Sequence, residues 1–171
     1  MSTREIAWAG KWITAIRDGK WEYVARARGI GAVVIIAIDD GHVLLVEQYR
    51  VPIGMRCIEL PAGLVGDDHE GEDALTSAKR ELEEETGYTC ERVEHLGVFH
   101  ASPGLVSEGF TLVRAYGLKR IGEGGGLPGE DIVVHRVALD SLADFVAAKR
   151  AEGVAVDVKL LTLLGPTLLA V

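Results

Sequence analysis

Apolar positions recur along the chain with two different periods, and the change from one to the other marks out the elements. Residues 31–38, GAVVIIAI, are a continuous apolar, β-branched run, the pattern of a strand buried on both faces. Asp40-Gly41 then supplies a turn into a second strand over residues 42–48. Between residues 74 and 85 the period becomes 3.6, and Ala74, Leu75, Ala78 and Leu82 fall on one stripe of a helix that Gly87 can stop. Looser alternation predicts strands over residues 92–101, 110–118 and 132–139. Asp140 and Asp157 are placed to cap helices reaching about residues 149 and 164. Ahead of all this, residues 1–28 break into short strand-like segments around Asp18-Gly19, a hairpin signal. An isolated ribbon of that kind is marginal, so it must pack on a larger body or a second subunit. The expected division is a β appendage over residues 1–28 and one main domain over 29–171.

Composition narrows the class. The chain has 171 residues and is 48% apolar, enough for one well-formed core. Acids exceed bases by 26 to 18, and a net charge of −8 argues against gripping a nucleic-acid backbone or an anionic membrane through bulk charge. Cys57 and Cys90 fit no metal-ligand spacing. With no apolar leader, and a C-terminal stretch interrupted by Lys159 and Gly165-Pro166, the expectation is a cytoplasmic protein with free, packing thiols and no membrane partner.

The candidate chemistry sits on the polar side of the predicted helix. Glu81 and Glu85 are one turn apart and Glu84 lies three residues from Glu81, so three carboxylates converge. A Glu-rich helix face is ordinarily just solvated. Like charges at this spacing repel by a few tenths of a kcal/mol per pair, a cost that a bound divalent cation would turn into a gain. Carboxylates on one rigid helix can hold such cations at fixed spacing.

The fixed offsets around these acids decide against the solvated face. Gly66, Glu72, Arg80, Glu81, Leu82, Glu84, Glu85, Gly87 and Tyr88 match the Nudix box, with Tyr88 standing where the strict pattern has an aliphatic residue. The chain therefore resembles the Nudix hydrolases, and within them the ADP-ribose and ADP-sugar pyrophosphatases. The resemblance implies an α/β Nudix fold, a mixed β-sheet sandwiched between α-helices, with the small antiparallel appendage in front. It implies Mg²⁺, replaceable by Mn²⁺, in roughly two or three ions held by Glu81, Glu84, Glu85 and the main-chain carbonyl of Ala62. Arg80 would orient these ligands. It also implies hydrolysis of ADP-ribose to AMP and ribose 5-phosphate.

Other segments extend the resemblance. Lys11-Trp12-Ile13 and Trp21-Glu22-Tyr23-Val24 are similar to segments in which two tryptophans, one from each subunit of a homodimer, sandwich the adenine. Trp12 and Trp21 become stacking candidates, with Glu22 and Arg26 as polar contacts; plain core or interface packing is the alternative. Arg50 resembles an arginine that reaches the substrate phosphates, and Gly63 and Leu64 lie in the loop beside them. Pro103, fifteen residues beyond Tyr88, resembles the Ser-Pro-Gly signature of ADP-ribose pyrophosphatases, and Glu108 follows five residues later. Five of the eight residues 122–129 are glycine, which suits either a lid or a surface linker. Glu130, at the end of that loop, resembles the catalytic base and is preferred to Asp131. His95 and His100 lie on opposite strand faces and make poor metal partners. Two alternatives stay open: another nucleoside diphosphate sugar such as GDP-mannose or ADP-glucose as substrate, or a module that binds ADP-ribose without turning it over.

Overall fold

The structure, a computed structural model, describes residues 4–66 and 71–169, with side chains as far as residue 165. Residues 67–70 of the acid-rich stretch lie outside the described residues. The chain begins with three short strands, β1 (Arg4–Ala9), β2 (Ile13–Asp18) and β3 (Trp21–Arg26), which form a separate antiparallel sheet. The turn between β2 and β3 is Gly19-Lys20, with Gly19 at φ +59°. The sequence reading of a ribbon here holds, with one more strand.

The main sheet starts at β4 (Gly31–Asp39) and β5 (His42–Arg50), joined at Asp40-Gly41, where both residues take positive φ (+46° and +67°). These two strands pair only at the base of their hairpin, Ile38 with Val43 and Asp39 with His42, and then diverge. The rest of β4 pairs antiparallel with β7 (Ala62–Val65) and parallel with β9 (Phe110–Arg120), which carries β8 (Tyr88–Phe99) at its far edge. The rest of β5 pairs antiparallel with β6 (Met55–Glu59) and β10 (Val133–Ala138), and β6 carries the short parallel β11 (Ala155–Val156). A mixed sheet thus splits into two halves, and the gap between them opens a cleft.

Both faces of β4 are buried, as its unbroken apolar run predicts. Val33, Ile35 and Ala37 pack with Ala78 and Leu82 of α1 (Ala74–Thr86). Val34 and Ile36 face the opposite layer, where Leu142 and Val146 of α2 (Leu142–Ala151) and Leu164 of α3 (Leu161–Leu169) complete the core. Burying a side chain such as Leu82, which is fully inaccessible, contributes about 1.5–3 kcal/mol. Leu75 departs from the expected stripe: it is 39% exposed, and the layer it was assigned to is filled instead by Ser77, Ala78 and Leu82. Asp140 also departs from expectation. It lies in a 3-10 turn, and α2 starts behind Ser141 with no side-chain cap. Asp157 does accept the Lys159 N–H, capping the 3-10 turn that leads into α3.

The appendage is stitched to the main domain along its third strand. Val24 N–H donates to Leu105 O, and Ser107 N–H donates to Val24 O, both at 2.9 Å, so the loop after β8 acts as a parallel neighbour of β3. Among the described residues no helix is long and apolar enough to cross a membrane.

Candidate active site

Helix α1 is fixed at both ends, which makes it a rigid platform. At its start Asp73 accepts the N–H groups of Leu75 and Thr76. At its end Gly87 adopts φ +74°, which L residues avoid. Its last carbonyls are then taken by the glycine-rich segment: Gly125 N–H donates to Glu85 O and Gly126 N–H to Glu84 O, while Ile121 and Gly122 donate to Gly87 O. The run of glycines is therefore only partly a free loop. Its first half is a cap for the helix, because a Cβ on Gly124 would stand 2.4 Å from the backbone of Thr86.

The platform presents Glu81, Glu84 and Glu85 to a cleft of about 480 Å³ between the two halves of the sheet. The same cleft is lined by Ala62, Gly63 and Leu64 of β7, by Arg26, Gln48, Arg50 and Arg80, and by Glu108 and Glu130. Acids and guanidinium groups are interleaved around it, Arg80 among Glu81 and Glu84, Arg50 against Glu59 and Arg26 against Glu108. Gly63 is required there by space: a Cβ on it would lie 1.9 Å from the Glu81 carboxyl carbon.

Arg80 holds the acids in place. Its Nη1 lies 3.0 Å from Glu81 and 3.1 Å from Glu84, and its Nη2 reaches Glu72 at 3.3 Å and Leu64 O at 3.5 Å. Burial works against its charge, but Glu72, Glu81 and Glu84 outweigh that and raise its pKa. Glu85 is the most buried of the three acids that α1 presents to the cleft, and its Oε2 accepts the Ala62 N–H at 3.0 Å. Burial, reinforced by the nearby Glu81 and Glu130 and opposed by the Ala62 N–H and Arg50, pushes Glu85 up to about 8. Arg50 is held by the buried Glu59, through Nε at 2.5 Å and Nη2 at 3.0 Å, a fork that leaves part of the guanidinium facing the cleft. Arg26 pairs with Glu108 at 2.5 Å.

The donor set suits a hard divalent cation, since it is all oxygen and anionic. Among the described residues no three acids are already closed into a metal cage. Arg80 stands between Glu81 and Glu84 as placed, and the Glu81 carboxyl fills the space that the missing Gly63 side chain leaves.

Not every residue singled out from the sequence reaches this cleft. Trp21 and Pro103 line a second hollow with Lys20, Tyr23 and Ser107. Trp12 stacks with cations of its own chain, Lys11 Nζ at 4.4 Å and Arg28 Cζ at 5.4 Å from the ring centre. Glu22 pairs with Arg17 at 3.1 Å. Asp18 faces Trp21 and Ile13 faces Arg26 across the β2–β3 ladder, so Trp12, just before Ile13, and Trp21 stand at opposite ends, separated by about 20 Å at 3.3 Å per residue. They do not meet around one ring within a single chain.

Three polar residues of the cleft lining were missed in the sequence: Gln48, Glu59 and Lys159. Glu59 left a signal, being the lone charge in the apolar run Cys57–Leu60 and hence a carboxylate needing a buried partner. Gln48 and Lys159 left none, because only the pairing of distant strands brings them to the cleft.

The family model of the NUDIX domain matches residues 27–157. The chain belongs to the Nudix family. Nudix hydrolases generally use a divalent metal such as Mg²⁺, in keeping with the donor chemistry of α1. Over 122 residues the chain is 40% identical to a methanol dehydrogenase activator of Bacillus methanolicus, covering 70% of this chain and 64% of that protein. Over 79 residues it is 40% identical to an ADP-ribose pyrophosphatase of Bacillus subtilis, covering 46% of this chain and 41% of that one. The chain thus spans less than two thirds of the length of either relative. The crystal structure of an ADP compounds hydrolase superposes with a TM-score of 0.69 at 22% identity, covering 98% of this chain and 94% of the other, a likeness of fold.

Proposed function

We propose that this Nudix chain is an ADP-sugar pyrophosphatase that hydrolyses ADP-ribose to AMP and ribose 5-phosphate. The observation that carries the reading is the cleft itself, where Glu81, Glu84, Glu85 and Glu130 share a space with Arg26 and Arg50. The names of relatives, ADP-ribose pyrophosphatase among them, support the substrate class.

Glu81, Glu84, Glu85 and the Ala62 carbonyl would hold Mg²⁺ or Mn²⁺, about two or three ions, with Arg80 orienting the carboxylates. Such ions, when bound, neutralise phosphoryl oxygens and lower the pKa of water. Arg50 binds the diphosphate oxygens and is kept cationic by Glu59, whose hydrogen bond raises its pKa. Glu130 takes a proton from the attacking water as an O–P bond forms and the bridging P–O bond breaks. Arg26 and Glu108 bracket the far side of the cleft, where the sugar or nucleoside end would lie. Leu64 and Gly63 supply a close main-chain wall. Trp12 and Trp21, with Glu22 and Pro103 nearby, would act on the adenine across a homodimer.

The test is turnover of a panel of nucleoside diphosphate sugars, including ADP-ribose, ADP-glucose and GDP-mannose, in Mg²⁺, with products identified. Glu85→Gln should lower kcat on the preferred substrate by about a hundredfold or more at saturating Mg²⁺. Survival of turnover within a few-fold would remove Glu85 from the metal scaffold. Calorimetric binding of ADP-ribose with no AMP released would make the chain a binding module.

A further inference from the structure

Behind the cleft lies a polar cluster that the proposed reaction does not use. Side chains alternate along β5, so Gln48 and Arg50 face the cleft while Glu47 points the other way. Glu47 is 6% exposed, yet it bonds to three basic side chains: Arg56 Nε at 2.7 Å, His135 Nε2 at 3.0 Å and Lys149 Nζ at 3.2 Å. Burial opposes its charge, but these partners outweigh that and hold it below the usual carboxylate range. A buried anion with this many partners is costly to assemble and, once assembled, rigid.

What the cluster immobilises is the guanidinium of Arg56. Its Nη2 donates to Glu47 O at 3.0 Å, and its outer edge reaches the end of the glycine-rich loop. There Nη1 donates to Asp131 Oδ2 at 3.0 Å and Nη2 to Asp131 O at 3.1 Å. Asp131 has φ +52°, a left-handed conformation that costs a non-glycine residue about 1 kcal/mol and persists only when its surroundings enforce it. The preceding carbonyl, Glu130 O, accepts from Gln48 Nε2 at 3.2 Å. Two consecutive carbonyls are therefore gripped by strand side chains, while the Glu130 carboxylate folds back to accept the Leu127 N–H at 2.7 Å. The Asp131 side chain is 81% exposed, so its ion pair with Arg56 is worth little as stability. Its effect is on where the neighbouring residue points.

We infer that Arg56, held by the buried Glu47 cluster, is a positioning residue that fixes the backbone at Asp131 and thereby holds Glu130 at the lining of the acidic cleft. The catalytic half of this inference rests on the reading of Glu130 as base. The structural half does not.

Two measurements test it. Hydrogen exchange on Arg56→Ala, with no substrate present, should show the amides of Leu127, Glu130 and Ile132 exchanging about tenfold faster while β4 and α1 keep their protection. Unchanged exchange in that loop overturns the inference. A double-mutant cycle in kcat then asks whether Arg56 acts through Glu130. Arg56→Ala alone should lower kcat by about ten- to a hundredfold with KM within about threefold, whereas in the Glu130→Gln background it should change the rate by less than about twofold. Equal losses in both backgrounds overturn it. Asp131→Gly leaves the Glu47 cluster intact and keeps the left-handed backbone accessible, so a smaller fall in kcat with unaltered thermal stability is expected even if Arg56→Ala folds poorly. No fall in kcat overturns the catalytic half. Wild-type protein that cleaves no nucleoside diphosphate sugar would refute the proposed function, and the exchange experiment would still decide the positioning.

Discussion

Two residues in the cleft carry effects that can be measured one at a time. Burial, as the chief cause, pushes Glu85 up to about 8, against 4.5 as the ordinary value. Between those two pH values the folded protein holds a proton that the unfolded chain has released. Raising the pH therefore favours unfolding, by about 1.4 kcal/mol per unit for one such group. Stability contributed by neutral Glu85 is complete below 4.5 and lost as pH rises through about 8. The thermal midpoint of chelator-treated protein should fall across this window. Glu85→Gln should flatten the profile, and saturating Mg²⁺ should reverse it by favouring the ionised form. Gly63 makes the second case. Its missing side chain is the space used by the Glu81 carboxyl, since an added Cβ would sit within 2.2 Å of three Glu81 atoms. Gly63→Ala should displace that flexible carboxyl rather than the fold. The expected result is divalent-ion affinity and kcat each reduced by about tenfold or more with a thermal midpoint close to wild type, read by calorimetry and kinetics.

At the scale of elements, α1 works because its two ends are closed by different means. Asp73 supplies a side-chain cap, and its replacement by Ala should lower the urea midpoint by leaving the Leu75 and Thr76 N–H groups without that acceptor. Gly87 combines φ +74° with a backbone contact: a Cβ would stand 2.4 Å from Gly122 O, and no flexible side chain can yield. Gly87→Ala should therefore cost more, about 2 kcal/mol or above, in urea unfolding. The helix and its glycine stop were readable in the sequence because both are local, set by a 3.6-residue period and a turn residue. The exposure of Leu75 was not readable, since which face is covered depends on how β4 and β7 approach. The glycine-rich segment shows the same limit. Its composition suits a mobile lid, and half of it instead binds the carbonyls of Glu84, Glu85 and Gly87, an interaction that exists only when β9 returns to the end of α1.

At the scale of the whole molecule, the separation of Trp12 and Trp21 along the β2–β3 ladder bears on how copies of the chain associate. A proposed isologous dimer would let Trp12 of one copy and Trp21 of the other approach one adenine. Mixing Trp12→Ala with Trp21→Ala protein should then restore about a quarter of the wild-type high-affinity sites, because half the dimers are mixed and each mixed dimer has one intact site. No restoration would rule out a site shared by the two rings across a dimer. The sequence by itself determined the family, the rigid acidic helix, the doubly buried strand β4 and the chemistry of oxygen ligands for a hard cation, because each is carried by residue type and short spacing. The tertiary structure alone decided that Arg50 leans on Glu59, that Arg56 reaches Asp131 across 75 positions, and that the tryptophans stand apart from the cleft. Those relations depend on how the two halves of the sheet diverge from the Asp40-Gly41 hairpin, and long-range strand pairing leaves no periodic trace along the chain.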